Sequence, residues 1–352
     1  MTSYADSPRI GSPPGFRVRD AVGPRGSGAT SVPETATFAR RFRELAGNIE
    51  GFILGKPEVV RLALVCLLAE GHLLIEDVPG VAKTSLAKAI ARSVAGAEVR
   101  RIQFTPDLLP SDVTGVQVYV QATGSFEFRR GPVFANILLG DEINRASPKT
   151  QSALLEVMAE HQVTVDGVAH PVPRPFLCIA TQNPVEHQGT YPLPEAQLDR
   201  FLMRVTVGYP EELADEVAII ADGVARRRPE ELKPVLDLDQ LRAMITELRE
   251  LHVSPKLRTY VATITRATRK HPDVRLGASP RGSIALATAA QAYAASMGRE
   301  YVTADDVKAV AAPVLSHRLL LTSEARLQRR APATIVAEIL AGAPVPREPD
   351  RR

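Results

Sequence analysis

The sequence predicts an α/β fold in two parts: a parallel sheet flanked by helices over residues 34–209, then an all-helical domain over 210–343. Three observations point there. The short apolar run Leu73-Leu74-Ile75-Glu76 leads through Asp77-Val78-Pro79-Gly80-Val81-Ala82-Lys83-Thr84 into the helical periodicity of Ser85-Leu86-Ala87-Lys88-Ala89-Ile90-Ala91-Arg92. A second run, Ile137-Leu138-Leu139-Gly140, ends in the paired acids Asp141-Glu142. Buried parallel strands of this kind deliver their last side chains to the carboxyl edge of an open α/β sheet. From Pro210 onward, apolar residues recur at three- and four-residue spacing with no strand-like run.

Taken in order, residues 1–33 are rich in Pro, Gly and Ser, lack periodicity, and are expected to be disordered, as is the tail 344–352. The strand, turn and helix at 73–92 suit a phosphate-binding loop, in which backbone N–H groups and the helix dipole surround the phosphates. Lys83 would then add its charge, and the Thr84 hydroxyl would bind Mg²⁺. Measured against GxxxxGK[ST], the loop departs twice, with Asp77 at the first glycine position and Ala82 at the second. Ala82 can supply its N–H if its φ is negative, and Asp77 has to point away from phosphate. Taken alone, the segment is also compatible with an ordinary strand-to-helix turn containing Pro-Gly.

Two hairpins follow. Val116, Val118 and Val120 alternate up to Ala122-Thr123-Gly124-Ser125, and Phe126 and Phe128 alternate back. Val163 and Val165 run into Asp166-Gly167, a two-residue turn signal, with Val168 beginning the return. Between them, Asp141 reaches the edge where a Mg²⁺ held by Thr84 wants a carboxylate, and Glu142 is free to polarise water as a general base. Phe176-Leu177-Cys178-Ile179-Ala180 is a further buried strand, so Asn183 emerges at the same edge. Read alone, Asn183 is an Asn-Pro turn residue and Arg200 is equally a structural arginine.

In the second part, helices are expected over Glu211–Arg228, Asp239–Leu251, Pro255–His271, Pro280–Met297 and Ala304–Leu315. Ser254-Pro255 and Ser279-Pro280 each place an N-cap before a proline, and Thr303 precedes Asp306 by three. Arg281 falls at the second position of its helix. A cation there opposes the helix dipole, which suggests an anionic partner, although a solvated arginine fits the residue alone.

The segment Ile143-Asn144-Arg145-Ala146-Ser147-Pro148-Lys149-Thr150-Gln151 resembles the MoxR-type AAA+ ATPases. Supporting segments are Gln103 to Asp112, Arg130-Gly131-Pro132-Val133-Phe134, Ala180-Thr181-Gln182-Asn183-Pro184 and Leu193 to Phe201. The resemblance implies a P-loop AAA+ core with a parallel sheet flanked by helices, followed by an all-helical lid domain. It implies ATP and Mg²⁺ held by residues 77–85, from Asp77 through Val78, Pro79, Gly80, Val81, Ala82, Lys83 and Thr84 to Ser85, with Thr84 and Asp141 at the metal. Leu54 and Gly55 would pack near the adenine. Glu142, Asn183, Arg200 and Arg281 would be the catalytic base, first sensor, arginine finger and second sensor. The two hairpins are similar to the helix-2 insert and pre-sensor-1 hairpin of the clade that also holds magnesium chelatase ATPase subunits and minichromosome-maintenance helicases. Gly140, where a small alkyl side chain is more usual, is a departure. Gln103 stands at a strand end, where a polar side chain can hold the base away from water.

By the same resemblance the chain forms a homo-oligomeric ring, a hexamer, and acts as a chaperone-like remodelling factor on partners with a von Willebrand factor A domain. Rival readings are a metal-chelatase ATPase subunit and a nucleic-acid motor. The motor is disfavoured by a net charge of only +3 and by dispersed arginines apart from Arg226-Arg227-Arg228. At 352 residues and 45% apolar content, the chain can bury one large core or, as the change at Pro210 suggests, two. No apolar stretch approaches the roughly 20 residues of a membrane span and no signal-peptide layout is present, so a cytoplasmic location is expected. Cys66 and Cys178 sit in apolar runs as reduced core residues, and the seven histidines show no metal-ligand spacing.

Overall fold

The computed structural model describes residues 34–77, 82–183, 190–226 and 228–346. The N-terminal 33 residues and the last six, both expected to be disordered, lie outside the described residues, as do Val78, Pro79, Gly80 and Val81 of the loop. The chain begins with α1 (Glu34–Glu50) and α2 (Pro57–Leu68), then β1 (Leu73–Glu76), α3 (Lys83–Arg92), β2 (Val94–Ala95), β3 (Val99–Gln103) and α4 (Pro110–Thr114). The hairpin β4 (Gly115–Val120) and β5 (Ser125–Arg130) precedes β6 (Ile137–Asp141) and α5 (Pro148–Glu160). A second hairpin, β7 (Gln162–Val165) and β8 (Val168–Pro171), leads to β9 (Leu177–Gln182), α6 (Glu195–Leu198) and β10 (Met203–Val205).

The second part is α7 (Leu213–Val224), β11 (Leu236–Asp237), α8 (Leu238–Glu250), α9 (Pro255–Thr268), β12 (Val274–Leu276) and α10 (Pro280–Ser296). It closes with α11 (Ala304–Leu315), β13 (Leu320–Leu321), α12 (Ser323–Leu327) and α13 (Pro332–Gly342). Helices dominate this part, as expected. Three strands of two or three residues lie here, β11 beside β2 and β12 beside β13, each too short to show a period.

The helices start where their caps require. The Ser254 hydroxyl accepts from the Leu257 N–H and the Ser279 hydroxyl from the Arg281 N–H, while Thr303 and Asp306 close a reciprocal capping box. In the second hairpin both turn residues have positive φ, Asp166 at 49° and Gly167 at 80°. Their twist matches that of the flanking strands.

The central sheet has the order β10-β1-β9-β6-β3, and every pair in it is parallel. Alternation along its strands divides the interior. Leu73, Ile75, Ile137, Leu139, Leu177 and Ile179 face one apolar cluster, shared with α1, α2, α3 and helices α8 to α11 and α13. Leu74, Leu138, Cys178 and Ala180 face the other, which holds Phe104, Leu154, Met158 and Phe201. There are two cores, as anticipated, but the sheet divides them and not Pro210. The second-part helices share an interior with one sheet face.

Candidate active site

At the carboxyl edge of the sheet, β1 ends at Glu76 and α3 begins at Lys83, while β6 presents Asp141 one strand beyond β9. The Lys83 ammonium donates to the Asp77 carbonyl at 2.9 Å. Partial burial lowers its proton affinity, opposed by the carboxylates of Asp141, Asp77 and Glu142. Lys83 thus faces both acids of the pair, as phosphate charge compensation requires.

Asp77 solves its predicted conflict with phosphate by turning aside. Its buried carboxylate accepts from the Val207 and Gly208 N–H groups at 2.7 and 2.6 Å. Ala82 corrects an expectation. Its φ is +54°, not negative, and it precedes α3 in the left-handed region that favours glycine.

The acids are held by several donors. Thr181 on β9 donates its hydroxyl to Asp141 at 2.6 Å and accepts from the Glu142 N–H at 2.9 Å. Arg101 pairs with the other Asp141 oxygen at 2.8 Å. Glu142 is itself left-handed, with φ +57°. Its Oε2 accepts from Gln103 Nε2 and from Arg145, each at 2.9 Å. Gln103 therefore does hold the proposed base, as its strand-end position suggests. Asn183 follows β9 at the same edge and is buried. The roles of Thr181 and Arg101 escaped the sequence reading because a bond between strands leaves no mark in local spacing, and that of Arg145 because its contact three residues back to Glu142 needs the turn geometry after β6.

Beside this edge lies a cavity of about 470 Å³, lined by Ile53, Leu54, Ala82, Ser85, Gly208 and Ile219 among others. It is largely apolar and touches the start of α3, which suits a flat heterocyclic base next to a phosphate site. Leu54 lines it. Gly55 instead lines an adjoining cavity of about 650 Å³. With φ +69°, a side chain on Gly55 would come within 2.5 Å of the Asp215 carboxylate.

Arg200 and Arg281 are together, but elsewhere. Both are exposed and line a cavity of about 260 Å³ with Gly71 and His72, the residues immediately before β1. Lys83 follows β1, so the two arginines stand at the amino edge, separated from their own chain's candidate phosphate site by the length of the strand, about 13 Å. Among the described residues, Thr84 and Asp141 offer the hard oxygen donors that Mg²⁺ prefers, and no cluster of three or more His, Cys, Asp or Glu side chains is placed to hold a metal. No helix among them is long and apolar enough to cross a membrane.

The chain has relatives along nearly its whole length. The profile of the ATPase family associated with various cellular activities (AAA) matches residues 72–203, and that of the AAA lid domain matches 266–339. The chain is 48% identical to YeaC of Bacillus subtilis over 85% of its own length and 93% of that protein. It is 42% identical to Chaperone MoxR1 of Mycobacterium tuberculosis, covering 90% and 84% respectively. A crystal structure from Cytophaga hutchinsonii, assigned as an ATPase, superposes with a TM-score of 0.83 at 35% identity, over 89% of this chain and 97% of that one. With the family profile, the curated relatives and the superposed structure in agreement, the chain belongs to the MoxR-type AAA+ ATPases.

Proposed function

We propose that the protein hydrolyses ATP within a ring of identical subunits, a hexamer, in which Arg200 and Arg281 of one subunit complete the site built on Lys83, Asp141 and Glu142 of the next. The observation that supports this reading is the division of the functional residues between opposite edges of the sheet. A single subunit cannot bring both sets to one phosphate.

Adenine enters the cavity lined by Leu54 and Ile219, and the phosphates meet Lys83 and the N-terminus of α3. Thr84 and Asp141 are the residues that would hold Mg²⁺, which when bound neutralises charge on the β- and γ-phosphates. Glu142 accepts the proton of the attacking water once Gln103 or Arg145 releases its carboxylate, and Asn183 orients that water. Arg200 and Arg281 of the neighbour stabilise negative charge on the transferring phosphoryl group.

Residues 34–209 serve as the nucleotide-binding core and 210–343 as the lid. The work of the cycle is remodelling of partner proteins, in line with the chaperone name of the Mycobacterium relative, and partners with a von Willebrand factor A domain are the class we infer. The setting is cytoplasmic. Because the arginines act across an interface, ATPase activity per subunit should rise with protein concentration as rings assemble, measured by phosphate release over a dilution series. Constant specific activity down to the monomer would rule out a site shared between subunits.

A further inference from the structure

We infer that Arg318 is the positioning residue for both trans-acting arginines: it locks the backbone on either side of Arg200 and, through Asp199 and Ser279, the helix start that carries Arg281. The inference rests on the reading that Arg200 and Arg281 act on a neighbour's nucleotide. None of the hydrogen bonds of Arg318 goes to either side chain.

Its guanidinium is almost wholly buried, with 3% of the side chain exposed. An arginine in such a place has to spend its donors on fixed acceptors. Nε donates to the Asp199 carboxylate at 2.7 Å. Nη2 donates to the carbonyls of Asp199 and Phe201 at 3.3 and 2.7 Å, and Nη1 to Leu202 at 3.2 Å and to Val314 on α11. Residues 199, 201 and 202 thus hang on one rigid planar fork, and Arg200 is the residue left projecting between them.

The second arginine is braced by the same unit. The other Asp199 oxygen accepts from the Ser279 hydroxyl at 2.9 Å, and that hydroxyl is also the N-cap of α10, accepting from the Arg281 N–H at 3.1 Å. On the far side of Arg281, Gly282 lies so close to Arg318 that a Cβ there would approach the arginine Cδ at 3.2 Å. Both arginines are exposed, yet the residues flanking each are tied to one buried cation. Pairing that buried charge with Asp199 and spending its remaining donors on backbone carbonyls and the His317 ring makes sense where the path of the chain has to be held to a fraction of an ångström. A misplacement of about 1 Å can cost on the order of 100-fold in rate.

Arg318→Ala should therefore lower kcat about 100-fold and leave KM for ATP within about threefold, since Lys83 and the base cavity are untouched. Arg318→Lys and Ser279→Ala, which keep the interior filled, should lower kcat less, in that order. The decisive measurement mixes subunits. Glu142→Gln subunits lack the base but carry intact arginines, so adding them to Arg318→Ala subunits should restore activity at least tenfold above either alone, as they should for an Arg200→Ala control. Recovery in both mixtures supports the inference. Recovery with Arg200→Ala but not with Arg318→Ala or Arg318→Lys overturns it, because Arg318 then serves its own subunit or the fold alone. Absence of recovery in both mixtures refutes the trans reading itself, and the inference falls with it.

Discussion

Ala82 carries a backbone conformation that costs an L-residue about 1–2 kcal/mol and a glycine almost nothing. Its left-handed φ brings the chain into α3 with Lys83 as the first helical residue, so the strain lies at the proposed phosphate site. Ala82→Gly, which restores the residue of the consensus loop, should stabilise the fold by about 1 kcal/mol. A denaturant midpoint that stays put or falls would show that the loop pays no such strain. Asp77 shows the opposite economy. An acid beside phosphate looks like a liability in the sequence, yet it is a buried acceptor for two backbone N–H groups. Neither outcome was legible from residue type, because φ and side-chain direction depend on what the loop docks against.

Among the elements, β6 shows how an unusual residue becomes intelligible once its neighbours are known. A methyl at Gly140 would lie 3.1 Å from the Phe104 ring and 3.6 Å from Leu154, and Phe104 is fully buried. Gly140→Ala should cost about 1–2 kcal/mol by overpacking, seen as a lower unfolding midpoint. An unchanged midpoint would mean that the ring moves aside freely. The strands and helices themselves were largely readable. The run ending in Asp141-Glu142 forms β6, the Asp166-Gly167 turn joins β7 to β8, and the capped starts of α9, α10 and α11 fall at Pro255, Pro280 and Ala304. β11, β12 and β13 exist only through their pairing, α7 stops at Val224 and not at Arg228, and α13 lay beyond the five helices expected. Of the candidate site, the placement of Asp141-Glu142 at the end of β6 and of Lys83 at the start of α3 was legible in the sequence, whereas Asn183, taken alone, read as an Asn-Pro turn residue. The position of Arg281 at the opposite edge from Lys83 was not legible, since it follows from how distant helices pack on the sheet.

For the molecule as a whole, the buried histidines set an acid limit. His72 accepts from the Cys178 N–H through Nδ1 and faces the Met158 carbonyl through Nε2, which must therefore carry the proton of a neutral ring. Burial pushes its pKa down to about 4, and burial lowers that of His317 as well. Both groups protonate more readily in the unfolded chain. The His72 contribution is complete above about pH 6.5 and is lost as pH falls toward 4, and that of His317 is lost in the same direction. For His72 alone the loss approaches about 3 kcal/mol, at 1.4 kcal/mol per unit. Unfolding midpoints measured from pH 7 to 4.5 should decline steadily, and a flat profile would contradict neutral burial. The clasp of Asp77 on Val207 and Gly208 bears on movement at the same scale. Those two amides lie on the path from the last sheet strand to α7, so the entrance of the phosphate loop and the root of the helical half are stitched at one carboxylate. Swinging that half outward would first tear two short bonds from a buried anion, and so the gatepost and the door hang from a single pin.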